Sequence, residues 1–196
     1  MTGSEQTLRQ YLRQATAKAH DRLDHAMRDE GGWEQSDDYA RFLSLQLAAR
    51  IPVEAWLDQH APADLRPPPQ SDLIASDLAK LGVEAPSAAP DFAFEDDQDE
   101  ATCLGAAWVL AGSSLGNRSI LAELKRRGEP AAQWPHAFLG DDAMLAFWKG
   151  LRTRIEQSVP SEERDAAGRG ARAVFDHFIA NTLGQSALND GLARAS

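Results

Sequence analysis

The sequence predicts an all-α fold in a single domain that covers residues 1–196. Apolar residues recur at helical spacing through every long segment, and no segment alternates apolar and polar residues as a half-buried strand does. No internal repeat is present. A length of 196 residues with a hydrophobic fraction of 43% is enough for one sizeable core.

The expected helices follow one another along the whole chain. They cover, in order, residues 5–29, 38–59, 71–81, a glycine-bearing segment that begins near residue 100, then 119–127, 141–157 and 160–183. Gly31 and Gly32 are expected to end the first helix, and Gly184 the last. Pro52 lies inside the second helix and is expected to kink or divide it. Residues 83–98 read as a long loop that ends in an acidic cluster, whose charge complements the dipole of the next helix.

The composition excludes several classes of function. A formal net charge of −10 disfavours nucleic acid and anionic membrane surfaces as partners, because both require basic patches. The polar N-terminus does not resemble a signal peptide, and no run of 18 apolar residues is present. Cys103 is the single cysteine, so no internal disulfide forms. These features predict a cytoplasmic protein.

One helical segment carries three glycines on one face. Gly105, Gly112 and Gly116 fall within about 40° of one another on a helical wheel. Each glycine inside a helix costs roughly 1 kcal/mol relative to alanine. Such a face indicates that another backbone, or a flat ligand, comes close to the helix.

His20 is the most informative of the five histidines. It lies at the edge of the apolar stripe of the first helix, with Thr16 and Met27 beside it and Arg13 two turns earlier. Asp24 follows four residues later, where its carboxylate can accept the Nδ1–H and leave Nε2 for a metal. A histidine next to a cation, together with a glycine-lined helix, favours a flat metallocycle held between two helices.

These residues form part of an ordered set of motifs. Leu12-Arg13-x-x-Thr16-x-x-x-His20-x-x-Leu23-Asp24 resembles the proximal helix of haem oxygenases. Gly105-x-x-Trp108-Val109-Leu110-x-Gly112-Ser113-x-Leu115-Gly116 resembles the distal helix of the bacterial branch, which includes the enzymes that accompany bacterial phytochromes. Tyr39-x-x-Phe42-Leu43, Asp77-Leu78-x-x-Leu81-Gly82 and Phe175 also fit that branch.

The resemblance implies the haem-oxygenase-like fold, with haem between the proximal and distal helices. It makes His20 the iron ligand and places Arg13 and Arg152 at the haem propionates. Thr16, Met27 and Phe175 are expected to contact the haem as well. On the distal side, the residues expected to face the reacting atoms are Gly112, Ser113, Gly116 and Asn117.

The function implied is oxidative cleavage of haem to biliverdin, CO and ferrous iron, with haem as both substrate and cofactor. The reaction uses O2 and electrons from an external reductase or ferredoxin, because no flavin or nicotinamide motif is present. Ala111 and Asn117 depart from the residues common in bacterial relatives, which motivates an alternative: a non-catalytic haem sensor or carrier of the same fold. A third hypothesis is a helical fold without haem, in which Gly112 and Gly116 seat another helix.

Overall fold

The computed structural model describes residues 6–94 and 99–193, with side chains described through residue 184. The described residues form helices and connecting loops without a strand, so the all-α prediction is confirmed. Six α-helices are present: α1 (Leu8–Glu30), α2 (Ser36–His60), α3 (Ser71–Lys80), α4 (Glu100–Arg127), α5 (Asp142–Ile155) and α6 (Ser161–Ala193). None of the helices in the described ranges combines the length and apolar character needed to cross a membrane.

The start of α1 is fixed by a capping box. The Thr7 hydroxyl accepts a hydrogen bond from the Gln10 amide, and the Gln10 side chain accepts one from the Thr7 amide. The helix therefore begins at Leu8, three residues later than expected, and ends near Gly31 as predicted. Leu8 and Leu12 of the predicted stripe are buried.

Pro52 does not divide the second helix, because α2 is continuous across it. The proline lacks only one backbone donor, and its ring is buried within the core, so burial offsets the lost hydrogen bond. Two residues later, Glu54 accepts hydrogen bonds from the Gln70 and Ser71 amides at 2.8 and 3.3 Å. This carboxylate caps α3, whose first amides need acceptors.

The predicted break after Asn117 is wrong, since α4 is one helix of 28 residues. The Asp99 carboxylate caps its start by accepting from the Thr102 amide at 2.7 Å, which confirms that acidic residues lead into this helix. Residues 95–98 of the acidic cluster lie outside the described residues. Asp141 caps α5 through the Ala143 and Met144 amides, so this helix begins at Asp142, one residue after the expected start.

The long C-terminal helix α6 is the element on which α1 and α4 both pack. It continues past Gly184, contrary to expectation, and reaches Ala193. It runs antiparallel to α4, whose Gly105 contacts Ala167. It runs parallel to α1: Tyr11 donates a hydrogen bond to Asp165 at 2.9 Å, and further along, the His20 ring meets the Phe175 ring.

Candidate functional site

His20 presents its imidazole from the outer side of α1. The side chain is 59% exposed, and its Nδ1 lies 3.2 Å from the Asp24 carboxylate, as the spacing predicted. The Phe175 ring of α6 meets the imidazole edge-on, with 5.8 Å between ring centroids. The hydrogen bond to Asp24 raises the pKa of His20, more than partial burial lowers it. Asp24 therefore fixes one nitrogen, and Nε2 is the nitrogen that can bind a metal.

The other predicted residues of α1 divide between surface and core. Arg13 is exposed. Thr16 is buried and donates its hydroxyl hydrogen to the Leu12 carbonyl at 2.7 Å. Met27 is also buried, with its sulfur 3.7 Å from the Gln46 amide nitrogen. Contacts of these three residues with a cofactor stay predictions.

The three glycines of α4 have two different surroundings. A Cβ at Gly105 would lie 1.9 Å from the Ala167 carbonyl oxygen, so this glycine serves close packing of α4 on α6. A Cβ at Gly112 would make ordinary contact with the Trp148 ring, at 3.6 Å. A Cβ at Gly116 would meet nothing within 4 Å. Of these three glycines, only Gly116 therefore borders open space. The same face of α4 contacts α6 at Gly105 and is accessible at Gly116.

Ser113 faces a buried arginine. Its hydroxyl donates to the Leu110 carbonyl at 2.7 Å and accepts from Arg50 Nη2 at 3.1 Å. A hydroxyl carries one hydrogen and two lone pairs. In this arrangement Ser113 has used its hydrogen, so it can accept one more hydrogen bond and cannot donate one.

Asn117 lies one turn after Ser113, on the same face of α4. Its exposed fraction is 6%, and its Nδ2 is buried without a hydrogen-bond partner among the described residues. An unpartnered buried donor has a high desolvation cost. Asn117, rather than Ser113, is therefore the polar group of this face that still has hydrogens to donate.

Arg50 of α2 is the site residue that the sequence analysis missed. It is fully buried, its guanidinium lies 5.3 Å from the Phe138 ring centroid, and its Nη1 is 3.9 Å from Glu54. Desolvation lowers its pKa, although the Glu54 and Asp141 charges oppose that shift. Its Nε and Nη1 have no hydrogen-bond partner among the described residues. One signal was available: Arg50 is a charged residue inside an otherwise apolar run of α2.

Replacing Arg50 by methionine is expected to leave the free energy of unfolding within about 1.5 kcal/mol of the original, because the volume is kept and a desolvated cation is removed. Glu54 keeps three hydrogen bonds, from Gln70 and from the amide and hydroxyl of Ser71. Arg50→Ala is expected to cost roughly 2–5 kcal/mol, since it opens a cavity. Urea denaturation measures both. Equal losses in the two variants would mean that the charge, and not the volume, stabilises this region.

Arg152 and Arg154 of α5 have different surroundings. Arg152 has a side chain 56% exposed and lies 3.7 Å from Glu156, which also binds Arg9 at 2.7 Å. Arg154 is held by Asp64 at 3.0 Å and by Glu100. Arg152 is therefore the arginine of this pair that is more accessible to a ligand, and its role at a propionate stays a prediction.

Comparisons with known proteins place these features in a wider context. No protein-family model matches the chain. A curated haem oxygenase of Xanthomonas campestris pv. campestris is 34% identical over 106 residues, which cover 54% of this chain and 62% of that protein. The matched segment thus spans less than two thirds of the relative. The solved structure of the NO- and CO-bound haem oxygenase of Neisseria meningitidis is 21% identical and superimposes with a TM-score of 0.61, over 91% of this chain and 92% of that one. The resemblance predicted from the motifs is confirmed in sequence and structure, and the chain has the haem oxygenase fold.

Proposed function

We propose that this chain is a haem oxygenase, which cleaves haem to biliverdin, CO and ferrous iron with O2 and external electrons. The observation that carries the proposal is His20, whose largely exposed imidazole lies on α1 with Nδ1 3.2 Å from Asp24. A carboxylate that holds one imidazole nitrogen is one of the usual partners of a metal-ligating histidine, because it fixes the tautomer and the ring orientation.

The residues present fit a haem held by α1 and α4. Both helices pack against α6 and make little direct contact with each other, so α6 spaces them apart. Gly116 borders open space on α4, and its neighbour Leu115 has an exposed fraction of 47%. An exposed imidazole on α1 and accessible apolar surface on α4 are features that suit a flat, mostly apolar ligand with one metal to coordinate.

Each part of the haem has a candidate partner. His20 Nε2 would ligate the iron, and the exposed guanidinium groups of Arg13 and Arg152 would bind the propionates through charge-assisted hydrogen bonds. The ring contacts would come from Thr16, Met27, Phe175, Gly112 and Gly116. When bound, the haem supplies the O2 binding and the redox chemistry of the reaction.

The protein side of the reaction is orientation and hydrogen bonding. Asp24 and Phe175 hold the His20 imidazole at one nitrogen and one edge. Ser113 can accept a hydrogen bond from a water molecule, and Asn117 can donate one. Because Arg50 donates to Ser113, a buried cation also acts on this polar group.

The electrons would come from a separate reductase or ferredoxin. The chain itself would be a cytoplasmic protein of one domain. The sequence carries no flavin or nicotinamide motif, and its net charge of −10 suits neither nucleic acid nor an anionic membrane surface.

A titration with haem followed by turnover tests the proposal. We expect one equivalent of haem to give a Soret band, and reductant with O2 to convert this spectrum to that of biliverdin with release of CO. A stable oxy or ferrous spectrum would instead favour the non-catalytic haem sensor or carrier. Absence of any Soret band would contradict both and leave the helical fold without haem.

A further inference from the structure

A second, unassigned cavity lies on the other side of α4. Its volume is about 520 Å³, and it is open to solvent and bordered by the end of α3, the C-terminal half of α4 and the loop that leads to α5. Small-molecule sites commonly have volumes of 300–1,000 Å³. We refer to it as the Trp134 cavity. The residues of its lining that carry the inference are Lys80, Arg118, Lys125, Trp134, Pro135 and His136.

The Trp134 cavity is separate from the proposed haem site. On the wheel of α4, Arg118 and Lys125 lie about 140–160° away from the stripe of Gly112 and Gly116. None of the proposed haem contacts lines the cavity. A ligand bound there would leave the glycine stripe accessible, so the inference holds whether or not the protein binds haem.

The charge of the lining is opposite to that of the chain. The sequence has 30 acidic and 20 basic residues, yet the lining includes three cationic side chains and no acidic one. Lys80 lies 3.9 Å from Asp77, but that carboxylate is fully buried and its other oxygen accepts from the Phe138 amide. The described carboxylates include no ion-pair partner of Lys125. The cavity therefore presents positive charge that an anion can bind.

The side chain of Arg118 also indicates that an anion can bind in the cavity. It pairs with Asp142, whose side chain is 91% exposed and lies outside the lining. The Nε of Arg118 is buried and has no hydrogen-bond partner among the described residues. A buried guanidinium donor without an acceptor has a desolvation cost that an anionic ligand would offset.

One wall of the cavity is aromatic and held in place. The Trp134 indole stacks on Tyr39, with 5.4 Å between centroids and 17° between planes. The Tyr39 hydroxyl donates to the Pro135 carbonyl at 2.9 Å, so the loop is anchored to α2. His136 Nδ1 lies 2.7 Å from the Trp134 carbonyl and donates to it, which leaves Nε2 for a ligand. A rigid aromatic surface beside cations suits a planar ring that carries anionic groups.

We infer that the Trp134 cavity binds an aromatic organic anion with at least two negative charges, of the chemical class of a nucleoside phosphate. The aromatic ring lies against Trp134 and Pro135. The anionic groups are bound by Lys80, Arg118 and Lys125.

The test uses the full chain, labelled with ¹⁵N, and three probes: ATP, adenosine and inorganic tripolyphosphate. We expect ATP to shift the Trp134 indole resonance saturably, tripolyphosphate to bind more weakly, and adenosine not to bind in the millimolar range. Lys125→Glu is expected to weaken ATP binding roughly tenfold or more, because the variant replaces a charge-assisted hydrogen bond to the phosphates by repulsion between like charges. Trp134→Leu is expected to reduce the affinity for ATP to that for tripolyphosphate.

Lys149→Glu is the matched control, because Lys149 is an exposed lysine of α5 outside the lining and the change of charge is the same. This variant is expected to bind ATP as the original chain does. The inference is overturned if ATP causes no saturable shift, if adenosine binds as well as ATP, or if Lys149→Glu weakens ATP binding as much as Lys125→Glu.

Discussion

Replacing His20 by alanine is expected to abolish the Soret spectrum of an imidazole-ligated haem. In the structure the imidazole is exposed, and its ring contacts the Asp24 carboxylate and the edge of Phe175. Removing it therefore opens no cavity in the core, and the fold is expected to persist. The measurement is haem titration followed by absorbance and by resonance Raman of the iron–histidine stretch. Added imidazole is expected to restore the ligated spectrum, because it replaces the missing group at the iron.

His25→Ala provides the matched control for this experiment. His25 lies on the same helix, is exposed, and points about 140° away from His20. Its ring nitrogen lies 2.6 Å from the Asp21 carbonyl, a contact within α1. The spectrum of haem with His25→Ala is expected to match that of the original chain. A normal spectrum of His20→Ala would rule out His20 as the iron ligand, and loss of the spectrum in both variants would show that the effect is not specific to His20.

Local signals in the sequence were enough to predict most of the helices. Asp99 and Asp141 cap their helices with side-chain oxygens that accept the first amides, and such caps can be read from the sequence because they depend on near neighbours. The Thr7 cap of α1 was not predicted. The errors have the opposite origin. Continuous α4 opposes local helix propensity, because its packing against α6 outweighs a cost of roughly 1 kcal/mol per glycine. The helix α6 likewise continues past Gly184, where a local signal predicted its end.

The candidate site shows the same limit. The pair of His20 and Asp24 was predicted, because a spacing of four residues on one helix fixes their proximity. The donation from Arg50 to Ser113 joins residues 63 positions apart, and no helical wheel contains that information. A wheel likewise placed Gly105, Gly112 and Gly116 on one face without indicating which of them another backbone approaches.

Because of that difference, alanine substitutions at Gly105 and Gly116 are expected to change the free energy of unfolding in opposite directions. Gly105→Ala is expected to lower the free energy of unfolding by about 2–4 kcal/mol, because its Cβ would lie 1.9 Å from the Ala167 carbonyl oxygen and α4 would have to move away from α6. Gly116→Ala is expected to raise it by roughly 0.5–1 kcal/mol, since the new methyl group meets no heavy atom within 4 Å and alanine favours the helix. Urea denaturation of the protein without haem measures both.

Gly170→Ala tests whether the close approach itself is the cause. Gly170 lies on the α6 side of the same contact, where a Cβ would be 2.2 Å from the Thr102 carbonyl oxygen. It is expected to destabilise the protein about as much as Gly105→Ala does. Because both changes separate the same two helices, the double variant is expected to lose less than the sum of the single losses. If Gly105→Ala were instead as stable as Gly116→Ala, then α4 would lie further from α6 than the structure shows.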